Sequence, residues 1–525
     1  MTRRALVRRA VVAAALLYAQ SAGATGFTDV GQDIVPRDKV DIELDGYLRT
    51  RGTTYYDLDL DRGLTPAGTP LFPLTLSGSH TLTSWDSRLR TDLAVYTPGA
   101  ALAVKARIDV LDNIALGSAP EGIPAASTTQ SPLSQQIMHV KRAYAEYLTP
   151  VGLLAAGRMG NHWGLGIVAN GGDCADCDGG DVVDRIAFLA PVLGHVVAAA
   201  YDFSASQAFA PQQTGTTFLN LEPTASVRTL TFAVLRFKSP EAVERRRRGG
   251  RTTAEYGAFF SYRWQNNDIP GTYLPVASPV PITASQVMQR GYQATITDFW
   301  GRLTTRLLHV EVEAAYGTAV VEQPSLIPGL LYHVPVTSQQ LGAALESELA
   351  EPGGRFGAGF DAGYASGDPS PGFGAFPVTG ASPAQPGDLD GPKANPPYHD
   401  TVNNFRFEPD YRVDQILFRE IIGTVTGVTY LRPHARMRLT DIGEGSLTAS
   451  VAGIGSWAEY AENTPGNKRP LGIEIDPTLT YQTREGLLAA LDYGVLFPLS
   501  GLSNPIAHLD ARPAELVRLR LMFLF

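Results

Sequence analysis

The chain ends in VRLRLMFLF, residues 517–525. Apolar side chains occupy every second position of this stretch: Val517, Leu519, Leu521, Phe523 and Phe525. Arg518 and Arg520 lie between the first three of them. A period of two residues is the period of a β-strand, in which successive side chains point to opposite faces. The stretch therefore predicts a final strand with one apolar face and one charged face.

The same alternation recurs along the chain, at residues 40–45, 88–95, 102–110, 309–313, 434–439 and 473–476. In 102–110, for example, Val104, Ala106 and Ile108 alternate with Lys105 and Arg107. A soluble sandwich buries the apolar face, whereas a membrane barrel turns it to lipid. Alternation alone leaves both architectures open.

The spacing of the connections favours a barrel, because short and long connections alternate along the chain. Short turns are predicted near 97–99, 149–152, 191–194, 240–251, 299–301, 351–354, 441–446 and 483–486. Long loops are predicted near 56–82, 112–136, 161–183, 203–225, 266–287, 317–337, 367–410, 461–469 and 499–513. Short periplasmic turns and long outer loops are typical of outer-membrane barrels. The chain end also resembles the C-terminal assembly signal of such barrels.

Eight turns and nine loops join about eighteen strands, and an even number returns both ends to the periplasm. The sequence thus predicts an all-β fold, a closed antiparallel transmembrane β-barrel of about eighteen strands. Sixteen is the alternative, since 184–203 and 411–440 are hard to divide into strands. Partners implied by this fold are the lipid bilayer and the barrel-assembly machinery, whereas the sequence leaves the oligomeric state open.

Composition supports this fold and predicts export. The chain has 525 residues, of which 44% are apolar and 18% charged, and after residue 25 it lacks the run of about 18 apolar residues that a membrane helix needs. Residues 1–24 are expected to be a signal peptide cleaved near Ala24, because a basic start and an apolar run precede Ala22-Gly23-Ala24. Residues 25–38 would be a periplasmic segment and 39–525 the barrel. Without the leader, 39 Lys and Arg face 52 Asp and Glu, which argues against nucleic acid as a partner.

Two stretches carry a family resemblance: NHWGLGIVANGGDCADCDGGD, Asn161 to Asp181, and FEPDYRVDQILFREIIGTVTG, Phe407 to Gly427. Both resemble a family of uncharacterised bacterial outer-membrane β-barrel proteins, which is distantly similar to alginate-export-type barrels and porins. The resemblance implies an outer-membrane location and no particular substrate.

Charged residues at the alternate positions are predicted to line the lumen. A basic group lies on strands near the seam, and acids lie on the far side. The predicted pore-lining residues are Arg49, Arg51, Arg88, Arg90, Lys105, Arg107, Glu311, Glu313, Glu346, Glu348, Asp361, Arg436, Arg438, Arg518 and Arg520. Such an arrangement either filters polar solutes through a transverse field or is neutralised by neighbouring acids.

The loop at 161–183 is predicted to lie outside the barrel and contains two candidate sites. Asp173, Asp176, Asp178 and Asp181 crowd four carboxylates together, which suits Ca²⁺ unless the loop is simply solvated. Cys174 and Cys177 are the only cysteines, and in an exported chain they favour a local disulfide. The alternative is half of a zinc site with His162, which would need further ligands.

The function predicted is a channel for polar or charged small solutes. The sequence lacks a G-x-S-x-G elbow, a P-loop and an H-E-x-x-H motif, so we do not expect an enzyme. Alternatives are a specific exporter or importer of an acidic saccharide, and a non-conducting surface barrel whose outer loops bind ions or a partner. In the last case the proline-rich loop 367–410 would plug the lumen. The basic run Arg245 to Arg248 is either a solvated turn or a contact with anionic lipid.

Overall fold

A computed structural model describes Gly31 and residues 37–99, 101–116, 138–206, 209–211, 217–269, 287–325, 330–376 and 382–525. The predicted signal peptide, most of segment 25–38 and most of loop 112–136 lie outside the described residues. Among the helices of the described ranges, none is long and apolar enough to cross a membrane.

The described residues form twenty strands. They are β1 Asp41–Tyr56, β2 Thr81–Tyr96, β3 Leu102–Ala115, β4 Met138–Thr149, β5 Gly152–Gly160, β6 Val182–Val192, β7 His195–Ala205, β8 Phe209–Pro211, β9 Phe218–Asn220, β10 Val227–Arg236, β11 Thr253–Asp268, β12 Met288–Thr304, β13 Leu308–Val321, β14 Val336–Ala350, β15 Phe356–Ala365, β16 Val428–Ile442, β17 Gly445–Ala458, β18 Pro470–Thr483, β19 Leu487–Pro498 and β20 Ala514–Leu524. Strands β8 and β9 pair only with each other.

The other eighteen strands form one closed antiparallel barrel, which confirms the predicted fold and strand number. Each strand pairs with the next in the chain, β7 pairs with β10, and β20 returns to β1. At this seam Arg51 lies opposite Arg520, and Thr53 lies opposite Arg518. Closure pairs the backbone groups of the first and last strands and leaves no open edge.

Apolar side chains cover the outside of the barrel. Ile42 and Leu44 of β1 are exposed, as are Leu519 and Phe523 of β20. Exposed apolar positions alternate with inward polar ones, as the terminal stretch predicts. Such a surface is stable against the hydrocarbon of a lipid bilayer.

Two connections differ from the prediction. The turn expected at Phe299–Gly301 is wrong: these residues continue β12, with Gly301 between Tyr256 and Val312 in the sheet, and the turn falls at 305–307. The loop expected to end at residue 410 extends to residue 427. The turn at 240–251 contains a helix, α1, Pro240–Arg248.

The hydrophobic core lies inside the barrel. Its largest cluster joins Phe405, Ile416 and Phe418 of the connection before β16 to inward side chains such as Tyr430 and Leu516. Inward positions in the loop-end halves of β13 to β20 are therefore apolar where they face this connection. Inward side chains of β5 to β12 form a second buried apolar cluster, so the expectation that lumen residues are mostly charged holds only for the interior outside both clusters.

Candidate functional site

Two connections fold into the lumen from the loop end of the barrel. We name residues 161–181 the acidic inward loop and residues 404–427 the apolar inward segment. The acidic inward loop closes on itself, since the Asn161 N–H donates to the Asp181 carbonyl (2.9 Å). Gly172 has a φ of +68°, and a side chain there would meet the backbone of Gly180 at 2.6 Å. Glycine is thus required where the loop doubles back.

Arginines on the barrel wall bind backbone carbonyls of the acidic inward loop. Arg49 donates to the Cys177 carbonyl (3.0 Å), and Arg88 donates to the same oxygen (2.9 Å). Arg90 donates to the Gly172 carbonyl (2.6 Å). All three guanidinium groups are buried. These wall residues therefore fix the loop tip in the lumen instead of standing free in water.

The aspartates of the loop form ion pairs with further arginines. Asp176 contacts Arg51 (3.2 Å) and Arg419. Asp178 contacts Arg51 (2.7 Å) and Arg412 (2.9 Å). Because Arg51 is on the wall and the other two arginines belong to the apolar inward segment, these carboxylates join three parts of the lumen.

The same ion pairs determine the charge state of Asp176. Burial alone would raise its pKa, but the guanidinium groups of Arg419, Arg520 and Arg518 lower that pKa well below the usual range. Asp173 follows the same rule: burial opposes ionisation, and Arg107 and Arg142 lower its pKa. These aspartates are therefore ionised at neutral pH.

Carboxylates fix the opposite side of the loop. The Trp163 indole N–H donates to Asp298 of β12 (2.9 Å), and the Gly166 N–H donates to Glu313 of β13 (2.9 Å). Trp163 also packs edge-on against Phe259, with ring centroids 5.0 Å apart. Asp298 lies six residues before the turn end of β12, so the loop reaches beyond the middle of the barrel.

A single wall carboxylate binds the backbone of the apolar inward segment. Glu474 of β18 accepts the N–H groups of Gln415, Ile416 and Leu417, at 2.9, 2.7 and 3.0 Å. Three N–H donors on the two oxygens of one carboxyl group anchor the segment to the wall. The following residues, Leu417–Ile421, form a short π-helical turn.

The two inward elements also bind each other. Asp410 of the apolar inward segment accepts the N–H groups of Asp178 (2.7 Å) and Gly179 (2.9 Å). The Glu408 N–H donates to the Ile167 carbonyl (2.9 Å). The acidic inward loop and the apolar inward segment thus form one constriction.

All fifteen predicted pore-lining residues lie on the inward-facing side of their strands. Eight basic ones lie on β1 to β3 and β20, which we name the basic arc, and the five acidic ones lie on β13 to β15, the acidic arc. The other two, Arg436 and Arg438, lie on β16 beside the acidic arc. Their neighbours divide them further: Arg49, Arg88, Arg90 and Glu313 bind the acidic inward loop, whereas Arg436 pairs with Glu348 in a part-exposed position. All of these groups thus have partners in the protein, and the filter alternative stays a prediction.

Cys174 and Cys177 form a disulfide, with 5.2 Å between their Cα atoms. Both sulfurs are thus bonded, which removes the zinc alternative. His162 is buried, and its Nδ1 accepts the Gly171 N–H (3.1 Å). Burial lowers the pKa of this imidazole, so His162 supports the fold of the loop as a neutral side chain.

The prediction that this loop lies outside the barrel is wrong, because the loop lies in the lumen. Its four carboxylates are screened by neighbouring groups. Arginines contact Asp173, Asp176 and Asp178, and Asp181 accepts the Asn170 N–H (3.2 Å). In the described ranges, three metal-ligand atoms come within 4.8 Å of one another only at Asp57, Asp59 and His80. There the Asp59 carboxylate contacts His80 Nδ1 (2.8 Å), which accounts for the arrangement without an ion. Calcium binding by the acidic inward loop stays a prediction.

The constriction leaves space beside the basic arc. A cavity of about 620 Å³ lies against Arg51, Asp86, Asn113 and Asp178. Towards the turn end, Glu43, Asp92 and Arg438 have exposed inward side chains. The interior is therefore narrowed at one level and open to water on the turn side.

Comparisons with known proteins give a general similarity to barrel proteins of bacteria. OpdK of Pseudomonas aeruginosa, solved with vanillate, has 10% identity and a TM-score of 0.45 over 92% of this chain and 98% of its own. OccAB2 of Acinetobacter baumannii has 12% identity and a TM-score of 0.42 over 92% and 98%. OmpT, an outer membrane protein of Vibrio cholerae, has 10% and 0.34 over 94% and 100%. With TM-scores below 0.5, these similarities carry no information about solute or mechanism.

No protein-family model matches the chain, and no curated protein sequence matches it.

Proposed function

We propose that this chain is an outer-membrane channel for small polar or charged solutes, narrowed by the acidic inward loop and the apolar inward segment. The observation that supports it most is the charged interior, part of which binds the two inward elements while another part contacts water. A barrel that only anchored loops would need no exposed inward charges at its turn end. The outer-membrane location rests on the apolar outer surface together with the predicted signal peptide.

Size is the physical reason for the constriction. An eighteen-stranded barrel encloses more space than side chains of the wall can fill. Unobstructed, it would pass solutes with little discrimination. Folding two connections inward narrows the passage, and we propose the cavity at Arg51, Asp86 and Asp178 as a place where a passing solute binds.

Charge separation across the lumen would orient the solutes that pass. The basic arc and the acidic arc lie on opposite sides of the lumen, and we propose that they give a transverse field outside the ion pairs with the acidic inward loop. Polar solutes with a dipole or a single charge are favoured over apolar ones, because their interaction with the charged wall offsets part of the free energy lost when their hydration shell is removed. An acidic saccharide is one proposed class because of the distant resemblance to alginate-export-type barrels. The cavity itself gives no preference for anions, since it places Arg51 beside Asp86 and Asp178.

The test is recording from the purified, refolded protein in planar lipid bilayers. A channel gives discrete conductance steps, and a salt gradient then gives the ion preference from the reversal potential. An acidic oligosaccharide added to one side should reduce the current more than a neutral one of equal size, if acidic saccharides are the solute. A correctly inserted barrel without steps would refute the channel.

The apolar core inside the barrel favours a second candidate, a non-conducting surface barrel. Phe405, Ile416 and Phe418 pack across the loop-end half of the lumen, which is the arrangement of a permanent plug. The sequence predicted the plug in 367–410, whereas the buried contacts lie mainly in the two inward elements. Absence of steps in the intact protein, with steps after removal of the acidic inward loop, would establish this second function.

A further inference from the structure

Arginine and lysine side chains concentrate on one sector of the turn end, from β10 to β15. We name this sector the basic rim. Its exposed cations are Arg236, Lys238, Arg245, Arg248, Arg251, Arg306 and Arg355. Three carboxylates, Glu241, Glu244 and Glu351, accompany these seven cations at the same turns. The basic rim is therefore positive in a chain whose net charge is −9.

Helix α1 fixes the geometry of the basic rim. Ser239 caps its first turn, where the Ala242 N–H donates to the serine side chain (3.4 Å). Arg247 is buried and donates to the carbonyls of Arg306 (3.2 Å) and Ala350 (2.8 Å). Arg246 donates to the Thr252 carbonyl (2.8 Å). Two arginines of the run therefore anchor the helix, whereas Arg245, Arg248 and Arg251 are exposed, Arg248 with one N–H donated to Glu244 (2.6 Å).

The basic rim borders the lipid-facing surface. Arg236 follows Phe232 and Val234 on the outer face of β10, so a cation occupies the row in which apolar side chains contact lipid. Leu307 of the β12–β13 turn and Leu349 near the turn end of β14 are exposed. Each is next in sequence to a residue whose carbonyl Arg247 binds. Apolar side chains and cations meet at the level where hydrocarbon gives way to headgroups.

We propose that the basic rim binds anionic phospholipid headgroups of the leaflet at the turn end, with phosphate at the arginines and acyl chains on the apolar row. Arginine suits this ligand because its planar donors match phosphate oxygens. An acidic protein partner would also match the charge, but the adjoining lipid-facing leucines and Arg236 fit a lipid better. The proposal does not depend on conduction.

The experiment measures lipid retention by native mass spectrometry of the detergent-solubilised, delipidated full-length protein. Phosphatidylglycerol is compared with phosphatidylcholine of the same acyl chains. We expect phosphatidylglycerol to be retained preferentially by the wild type. Each surface cation contributes about 1 kcal/mol near anionic lipid, so a variant with Arg245→Gln, Arg248→Gln and Arg251→Gln should bind it weaker by up to the order of 100-fold.

Two control variants separate a specific site from general charge. Lysine at the same three positions should retain most of the preference, since the charge remains. Arg512→Gln removes an arginine that is 73% exposed at the opposite end of the barrel and should change nothing. Unchanged retention in the triple glutamine variant, or equal retention of both lipids by the wild type, would overturn the proposal. Displacement of the lipid by millimolar inorganic phosphate would also overturn it, because the site would then bind free anions.

Discussion

Asp176 is the residue whose removal most directly tests how the constriction is stabilised. It contacts Arg51 of the wall and Arg419 of the apolar inward segment, and Arg518 and Arg520 lie within 4.0 Å. Asp176→Asn keeps the shape and removes the charge. Removing one partner of a buried ion pair costs roughly 3–5 kcal/mol. Arg51 keeps Asp86 (2.9 Å) and Asp178 (2.7 Å), so we expect about 3 kcal/mol, the lower end of that range.

The loss of this free energy weakens the binding of the acidic inward loop to the lumen wall. A change of about 3 kcal/mol shifts the equilibrium between bound and released loop by roughly 100-fold. In single-channel recordings the variant should spend a much larger fraction of time in a high-conductance state. Thermal unfolding of the barrel should change less, because the eighteen-stranded sheet is not altered.

Asp184→Asn is the matched control. Asp184 pairs with Arg158 at 2.7 Å, but both side chains are about half exposed. Exposed pairs contribute roughly 0–1 kcal/mol, so this variant should behave as the wild type. If Asp176→Asn and Asp184→Asn spent the same fraction of time in the high-conductance state, the ion pairs of Asp176 would not stabilise the constriction.

Three further predictions concern the same two inward elements. Burial and the nearby Asp410 raise the pKa of Glu408 to about 8. The neutral form of Glu408 therefore stabilises the constriction; this stabilisation is complete below the usual glutamate pKa of about 4.3 and lost as pH rises through about 8. The fraction of time in the high-conductance state should increase over this range, and Glu408→Gln should abolish the increase. Glu474→Gln replaces one of the two carboxyl oxygens that accept three N–H groups by an NH₂ donor and should cost about 2 kcal/mol, seen as faster proteolysis within 404–427, whereas an unchanged rate would show that Glu474 does not anchor the segment. Calcium binding by the acidic inward loop predicts that Trp163 fluorescence differs between Ca²⁺ and EDTA and that Asp176→Ala with Asp178→Ala removes the difference; identical spectra in the wild type would contradict it.

The barrel could be predicted from the sequence because its determinants are local. Alternation in 517–525 and 102–110 requires only neighbouring residues, and it correctly assigns inward and outward faces. The Cys174–Cys177 pair is equally local. Gly301 shows the limit of local reasoning, since a glycine that suggests a turn instead continues a strand between Tyr256 and Val312.

The constriction could not be predicted because it depends on contacts between distant residues. Asp410 and Asp178 are 232 positions apart, and an acidic glycine-rich loop has the same composition whether water or arginine surrounds it. One signal was present: Arg49, Arg88 and Arg90 on adjacent strands give the wall an excess of buried cations, for which the aspartates of the loop are natural partners. In 416–422, ILFREII, apolar residues recur without a period of two, which argues against a strand there.

The claim that the acidic inward loop narrows the channel is tested most directly by conductance. The wild type is compared with a variant in which residues 171–178 are replaced by a short glycine and serine linker. Both proteins are first shown to be folded and inserted. We expect small conductance steps for the wild type and clearly larger steps for the variant, because the loop tip that narrows the lumen is gone. Equal step sizes would contradict the central claim that the acidic inward loop sets the width of the channel.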